Sequence, residues 1–191
     1  MDGIFSLPYS EYETILQVQK HFKKVDGLSV FIPVSRQQKG IDFVIVNTKN
    51  RKTLTVQVKG SRSYTKTDIP KRSKKEVFKY NFWFNNFLHR YVRGQADVYI
   101  LFGLYAVYDA SRGVKSGTEI WKPVVLAFKD LEMKALLDQV KTKREQKADR
   151  FFGIGFNDSM SAFGARGFQA KVDLSGHILA NKAPDLLADL K

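Results

Sequence analysis

Along the first third of the chain the spacing of apolar residues changes period. From Ser10 to Val25, Ile15, Val18, Phe22 and Val25 recur every three to four positions, the spacing of one buried stripe on an α-helix. Ser10 followed by Glu13 has the form of a capping box. Glu11 stands four residues before Ile15 and seven before Val18, so helical projection sets a carboxylate on the apolar face, where a charge needs a compensating role. Asp26-Gly27 marks a turn. Leu28 to Ser35, Gly40 to Asn47 and Thr53 to Lys59 then have strand chemistry. IDFVIV is nearly continuous apolar, which predicts a strand covered on both faces, whereas TLTVQVK alternates. An antiparallel meander after a helix is the expected assembly.

Residues 60 to 79 carry seven cations against Asp68 and Glu76, with Gly60 and Pro70 among them, and read as a basic loop. Phe78, Tyr80, Phe82 and Phe84 alternate as in a strand. Ala96 to Tyr105 and Pro123 to Phe128 are expected as buried strands, with a loop at 109 to 118 between them. Leu131, Met133, Leu136, Leu137 and Val140 predict an amphipathic helix from Asp130 to about Lys147. The last forty residues are rich in Gly, Ser and Ala and show a clear element only in a short helix at Pro184 to Leu190. The order predicts a mixed α/β (α+β) fold: a central mixed β-sheet flanked by helices, with an α-β-β-β opening. Residues 1 to 150 would form the main domain, with 151 to 191 as an extension packed on or following it.

Composition narrows the function. The chain has 191 residues, enough for one core. It has no cysteine, which excludes disulfides, thiolate metal sites and a thiol nucleophile. His21, His89 and His177 are too scattered for a histidine-rich zinc centre, so a catalytic metal would be oxygen-ligated. No apolar run approaches the roughly 20 residues of a membrane span, and the acidic start is unlike a signal peptide. A cytoplasmic protein without membrane contact, nucleoid-associated if bacterial, is expected. Thirty-two Lys and Arg against 19 Asp and Glu give a net charge of +13, which favours polyanions through phosphate contact and counterion release.

The candidate chemistry lies in Gly40-Ile41-Asp42, at the start of one expected strand, and Gln57-Val58-Lys59, at the end of the next. An antiparallel hairpin brings those two ends together, and the period of two puts Gln57 and Lys59 on one face. An acid, an amide oxygen, an ammonium group and the Val58 carbonyl then converge. Such a set suits Mg²⁺, which prefers a few oxygen ligands together with water and substrate phosphate.

With Glu11 or Glu13, GID at 40 to 42 and QVKGS at 57 to 61, the chain resembles the PD-(D/E)XK nuclease superfamily, which has the restriction-endonuclease-like fold. Motifs cover roughly residues 10 to 62, and the element order matches more loosely to about 150. The departure is Gln57, which stands where an acidic residue is usual; some members carry QXK and remain active. The resemblance implies a Mg²⁺-dependent DNA endonuclease of restriction, homing or junction-cutting type, with Mn²⁺ as a substitute ion and a homodimer as the form that cuts both strands. Asp42 would be the main metal ligand, Glu11 a second carboxylate, Gln57 a weak amide ligand and Val58 a carbonyl ligand. Lys59 would position the attacking water and stabilise the developing charge. The alternative is a catalytically inactive nuclease-fold protein that binds nucleic acid, which the glutamine favours. Arg62, Lys66, Lys71, Arg72, Lys74, Lys75 and Lys79 sit next to the site in sequence and are candidates for phosphate contact. Tyr80, Phe82, Trp83 and Phe84 are read as core before base-stacking residues, and His89 as structural. Residues 153 to 156, GIGF, are too short for a phosphate loop. Lys141, Lys143, Arg144 and Lys147 form a polar helix face.

Overall fold

The computed structural model describes residues 9–33, 40–65, 78, 80–108, 119–141 and 151–191. Helix α1 spans Tyr9–His21 and buries Thr14, Ile15 and Val18, the face set by the apolar spacing. It ends short of Val25. A 3-10 turn over Lys24–Asp26 follows, closed by Gly27 in the left-handed conformation (φ 86°) that an unbranched backbone adopts freely, and Val25 is 81% exposed. Ser10 lies inside the helix, so the expected capping box does not form. Glu13 instead accepts a bond of 2.6 Å from Gln17 Nε2, one turn on.

Strands β1 (Leu28–Phe31), β2 (Phe43–Asn47) and β3 (Thr53–Thr65) make the expected antiparallel meander. In β2 burial alternates: Phe43 and Ile45 are covered and Val44 and Val46 only partly. The unbroken apolar run therefore does not mark a strand buried on both faces, because the helices cover only the Phe43 and Ile45 side. β3 runs on past Lys59, so the start of the expected basic loop is strand. The chain continues through β4 (Tyr80–Asn85), α2 (Phe87–Arg90), β5 (Val98–Tyr108), β6 (Glu119–Lys129), α3 (Asp130–Asp138), β7 (Phe151–Phe156), β8 (Ala162–Gly164) and α4 (Leu179–Leu190).

These strands form one curled, mixed sheet in the order β1-β2-β3-β4-β7-β8, with β5 on β3 and β6 on β5, and helices flank it. Among the described strands β3 and β5 alone pair in parallel. One face packs under α1 and α4, where Ile15, Val18 and Phe22 meet Phe43, Val56, Val58, Leu186 and Leu190. The other is an aromatic core of Tyr80, Phe82, Phe84, Phe152 and Phe156, joined by Met133 and Leu136 of α3. Each such side chain contributes about 1.5–3 kcal/mol on burial. Leu131, expected in the α3 stripe, is 65% exposed. Met133, Leu136 and Leu137 define that stripe, and a residue two positions before Met133 falls about 200° round the helix.

The last forty residues hold more order than their composition suggests. GIGF is the body of β7, where Gly153 and Gly155 leave room for the rings of Trp83 and Phe78. Helix α4 starts at Leu179, carries Pro184 inside it and is clasped by charge. Lys182, 7% exposed, pairs with Glu132 of α3 and with Asp185 at 2.5 Å, while Lys129 reaches Asp185 at 2.9 Å and Asp189 at 2.7 Å. Burial opposes the Lys182 charge, but its bonds to Asp185 and Glu132 outweigh that and raise its pKa.

Beside the clasp, His177 stacks on Phe128 at 4.2 Å, and its Nδ1 lies 3.2 Å from the Ala127 carbonyl and 3.8 Å from Glu132. Burial lowers the His177 pKa from its ordinary 6.5, so the folded state favours the neutral ring. The unfolded chain then takes up a proton at higher pH than the folded one, and stability falls as pH drops below about 6.5 toward the folded pKa. We expect urea unfolding between pH 8 and pH 5 to show this loss and His177→Gln to flatten it; equal slopes would disprove the assignment.

Candidate functional site

The β2–β3 register pairs Phe43 with Val56, Val44 with Thr55 and Ile45 with Leu54. Val56 and Val58 face the helices, so Gln57 and Lys59, alternating with them along the strand, take the other side. The parallel pairing agrees, because Gln57 lies beside Tyr99 and Lys59 beside Leu101, both in the aromatic core. The two motifs of the sequence thus meet at one end of the hairpin.

Among the described residues the edges of β3 leave one stretch without a second strand. Residues 53–56 pair with β2, 63–65 with β4, and 56–62 with β5. From Gln57 to Arg62 the ladder therefore runs to β5 alone. The Asp42 N–H donates to the Val56 carbonyl at 2.8 Å, and the Asp42 carboxylate accepts from the Val58 N–H at 2.6 Å. A strand residue sends its N–H and C=O to the same side. The Val58 carbonyl therefore leaves β3 toward the edge that Asp42 occupies.

Gln57 is 5% exposed, and its Oε1 is buried with no hydrogen-bond partner. An unpaired buried acceptor costs about 1–3 kcal/mol. An amide oxygen, a carboxylate and a main-chain carbonyl at one strand end form an oxygen-donor set that fits Mg²⁺ or Mn²⁺. Among the described residues no group of three or more His, Asp or Glu side chains forms a metal cluster. A cation here would thus lean on Asp42 and neutral oxygens.

Helix α1 approaches the same end of β3 from the face of Val56, Val58 and Gly60, opposite to that of Gln57 and Lys59. A Cβ on Gly60 would lie 3.0 Å from Cβ and Oγ of Ser10, so the missing side chain lets the first turn of α1 sit against the strand just after Lys59. Glu11, half-buried, follows Ser10 in that turn. Glu13 is turned along the helix to Gln17. Lys59 is half-buried. Of the basic segment, Arg62 has its backbone in β3, while Lys66, Lys71, Arg72, Lys74, Lys75 and Lys79 lie outside the described residues, as do Lys143, Arg144 and Lys147. Tyr80, Phe82 and Phe84 are core.

Two contacts near the site have no counterpart in the sequence reading. Ser61 Oγ accepts from the Trp83 N–H at 3.0 Å and donates to the Trp83 carbonyl, joining β3 to β4 where the ladder has not yet begun. Gln95 packs on Gly40, two residues before Asp42. A glycine ahead of a strand hints at a close approach, yet nothing in the sequence says that residue 95 makes it.

No helix among the described residues is long and apolar enough to cross a membrane. No family model and no curated protein matches the chain. Among solved structures, a bacterial homing endonuclease, I-Ssp6803I, aligns over 74% of this chain and 80% of its own, at 18% identity and a TM-score of 0.31. With overlap of that extent, the functional reading rests on the chain's own residues.

Proposed function

We propose that the chain is a metal-dependent DNA endonuclease of PD-(D/E)XK type in its QXK form. The observation that carries this reading is the buried, unpartnered Gln57 Oε1, on one face with Lys59 at the strand end where the Asp42 carboxylate takes the Val58 N–H. Its net charge of +13 supports a polyanionic substrate. In hydrolysis water adds to phosphorus, one P–O ester bond breaks, and a phosphate monoester and a hydroxyl remain. A bound Mg²⁺ or Mn²⁺ would supply Lewis-acid polarisation of the phosphate and lower the pKa of water. Asp42, the Gln57 amide and the Val58 carbonyl would hold that ion, and Glu11 would add charge at the same strand end from α1 across the sheet edge. The Lys59 ammonium would stand against the charge that grows on the phosphate oxygens.

A second reading, an inactive nucleic-acid-binding protein, is favoured by the amide at 57, which removes one charge from the site. Incubating the protein with supercoiled and linear DNA in Mg²⁺, Mn²⁺ or EDTA separates the two. Metal-dependent nicking is the expected result; salt-sensitive binding without cleavage on any of these would favour the inactive module. Gln57→Glu restores the missing charge, so Mn²⁺ should bind about tenfold or more tightly by calorimetry. Weaker binding in that variant would remove Gln57 from the ligand set.

A further inference from the structure

The turn that leads into Asp42 begins at Gly40, whose φ is 95°. Glycine is the most conformationally free residue, so this backbone must be fixed by something outside itself. On its C-terminal side the ladder does so, through the Asp42 N–H bond to Val56. Ahead of that, the described contact is Gln95. An ideal Cβ on Gly40 would lie 2.1 Å from both Cδ and Nε2 of Gln95 and 2.4 Å from its Cγ, so the Gln95 side chain fills the place of the missing one.

The loop that carries Gln95, between α2 and β5, is itself braced. The Tyr91 hydroxyl donates to Asp130 Oδ1 at 2.7 Å, and the Gly94 N–H to Asp130 Oδ2 at 3.1 Å. The Tyr99 hydroxyl donates to the Val92 carbonyl at 2.7 Å, and the Gln95 N–H to the same oxygen at 3.2 Å. Asp97 Oδ2 accepts from the Thr55 N–H at 2.8 Å and from its Oγ1 at 2.6 Å, which ties the loop to β3 two residues before Gln57. Burial, and then Asp130, pushes the Tyr91 phenol up, and burial does the same to Tyr99, so both remain protonated donors. A side chain held this way transmits the position of its loop to whatever it touches.

We propose that Gln95 is a positioning residue for Asp42: packed over Gly40 from the braced loop, it fixes the Gly40-Ile41-Asp42 turn and so holds the carboxylate against the Val58 end of β3. This rests on Asp42 being the carboxylate of the cleavage site. A misplacement of about 1 Å in a reacting set lowers rate by about 100-fold, so a packing contact two residues away has leverage on the chemistry.

The test compares Gln95→Ala, Gln95→Met and Asp42→Asn by Mn²⁺ titration without DNA, by steady-state cleavage and by thermal melting. Gln95→Ala should weaken Mn²⁺ binding by about 10- to 100-fold and lower kcat with KM for DNA unchanged and Tm within a few degrees. Gln95→Met, which refills the space over Gly40, should recover most of both. The proposal falls if Gln95→Ala binds Mn²⁺ as the parent does while Asp42→Asn does not, because the site would then stand without help from Gln95. It also falls if Gln95→Ala lowers Tm alone, which would mark a structural role, or if Gln95→Met is as impaired as Gln95→Ala. Unchanged Mn²⁺ affinity in Asp42→Asn would overturn the site assignment itself, and this inference with it.

Discussion

Asp42→Asn should fold normally and lose DNA cleavage by on the order of 10³-fold. The asparagine is chosen for what it keeps. Its amide oxygen still accepts the Val58 N–H that the carboxylate accepts at 2.6 Å, so that donor is not stranded and the melting temperature should hold. What disappears is the negative charge that a divalent cation requires. Asp42→Ala removes both, and the orphaned Val58 N–H adds about 1–3 kcal/mol of destabilisation. Activity and stability thus separate between the two variants. Parent-like cleavage by Asp42→Asn, measured as nicking rate at saturating Mn²⁺, would place the chemistry elsewhere on the protein.

The largest effect on stability is expected from Phe82→Ala. Phe82 is fully buried, touches Phe84 and Phe156 with ring centroids at 5.5 Å and 5.6 Å, and closes over Gly103 of β5. Truncation leaves a void that the surrounding rings fill only in part, at a loss of about 3–5 kcal/mol, which in a protein of this size lowers Tm by on the order of 10 °C. Its neighbour Trp83 points to the opposite face and is only partly buried. Trp83→Ala should therefore cost distinctly less in the same melts. Equal losses would contradict the alternation of β4.

That alternation was legible in the sequence, and so were the elements around the candidate site. Helix α1, the β1–β2–β3 meander and the approach of Asp42 to the Val56–Val58 end of β3 follow from local rules: a period near 3.6, a period of two, and the geometry of an antiparallel hairpin. The misses have physical causes. β3 continues through Gly60-Ser61-Arg62-Ser63, residues that read as loop by propensity but are held by β5 on one edge and β4 beyond. β7 was hidden because Gly153 and Gly155 weaken a strand pattern, yet they are there to admit the rings of Trp83 and Phe78. Leu131 has the hydrophobicity of the α3 stripe but not its angle, which falls about 200° from Met133 and leaves it exposed. Gln95 was out of reach because its role depends on contact with a residue 55 positions earlier, which no periodicity encodes.

β3 lies between β2 and β5 at Val56 and takes part in every segment of the sheet that surrounds the site. Hydrogen exchange along this stretch would report the separation of β3 from β5 and, at Val58, the release of the Asp42 carboxylate. Under the proposed function, the part of the donor set carried by β3 would stand assembled before a substrate arrives, and the strand would serve as the fixed frame against which a scissile phosphate is placed.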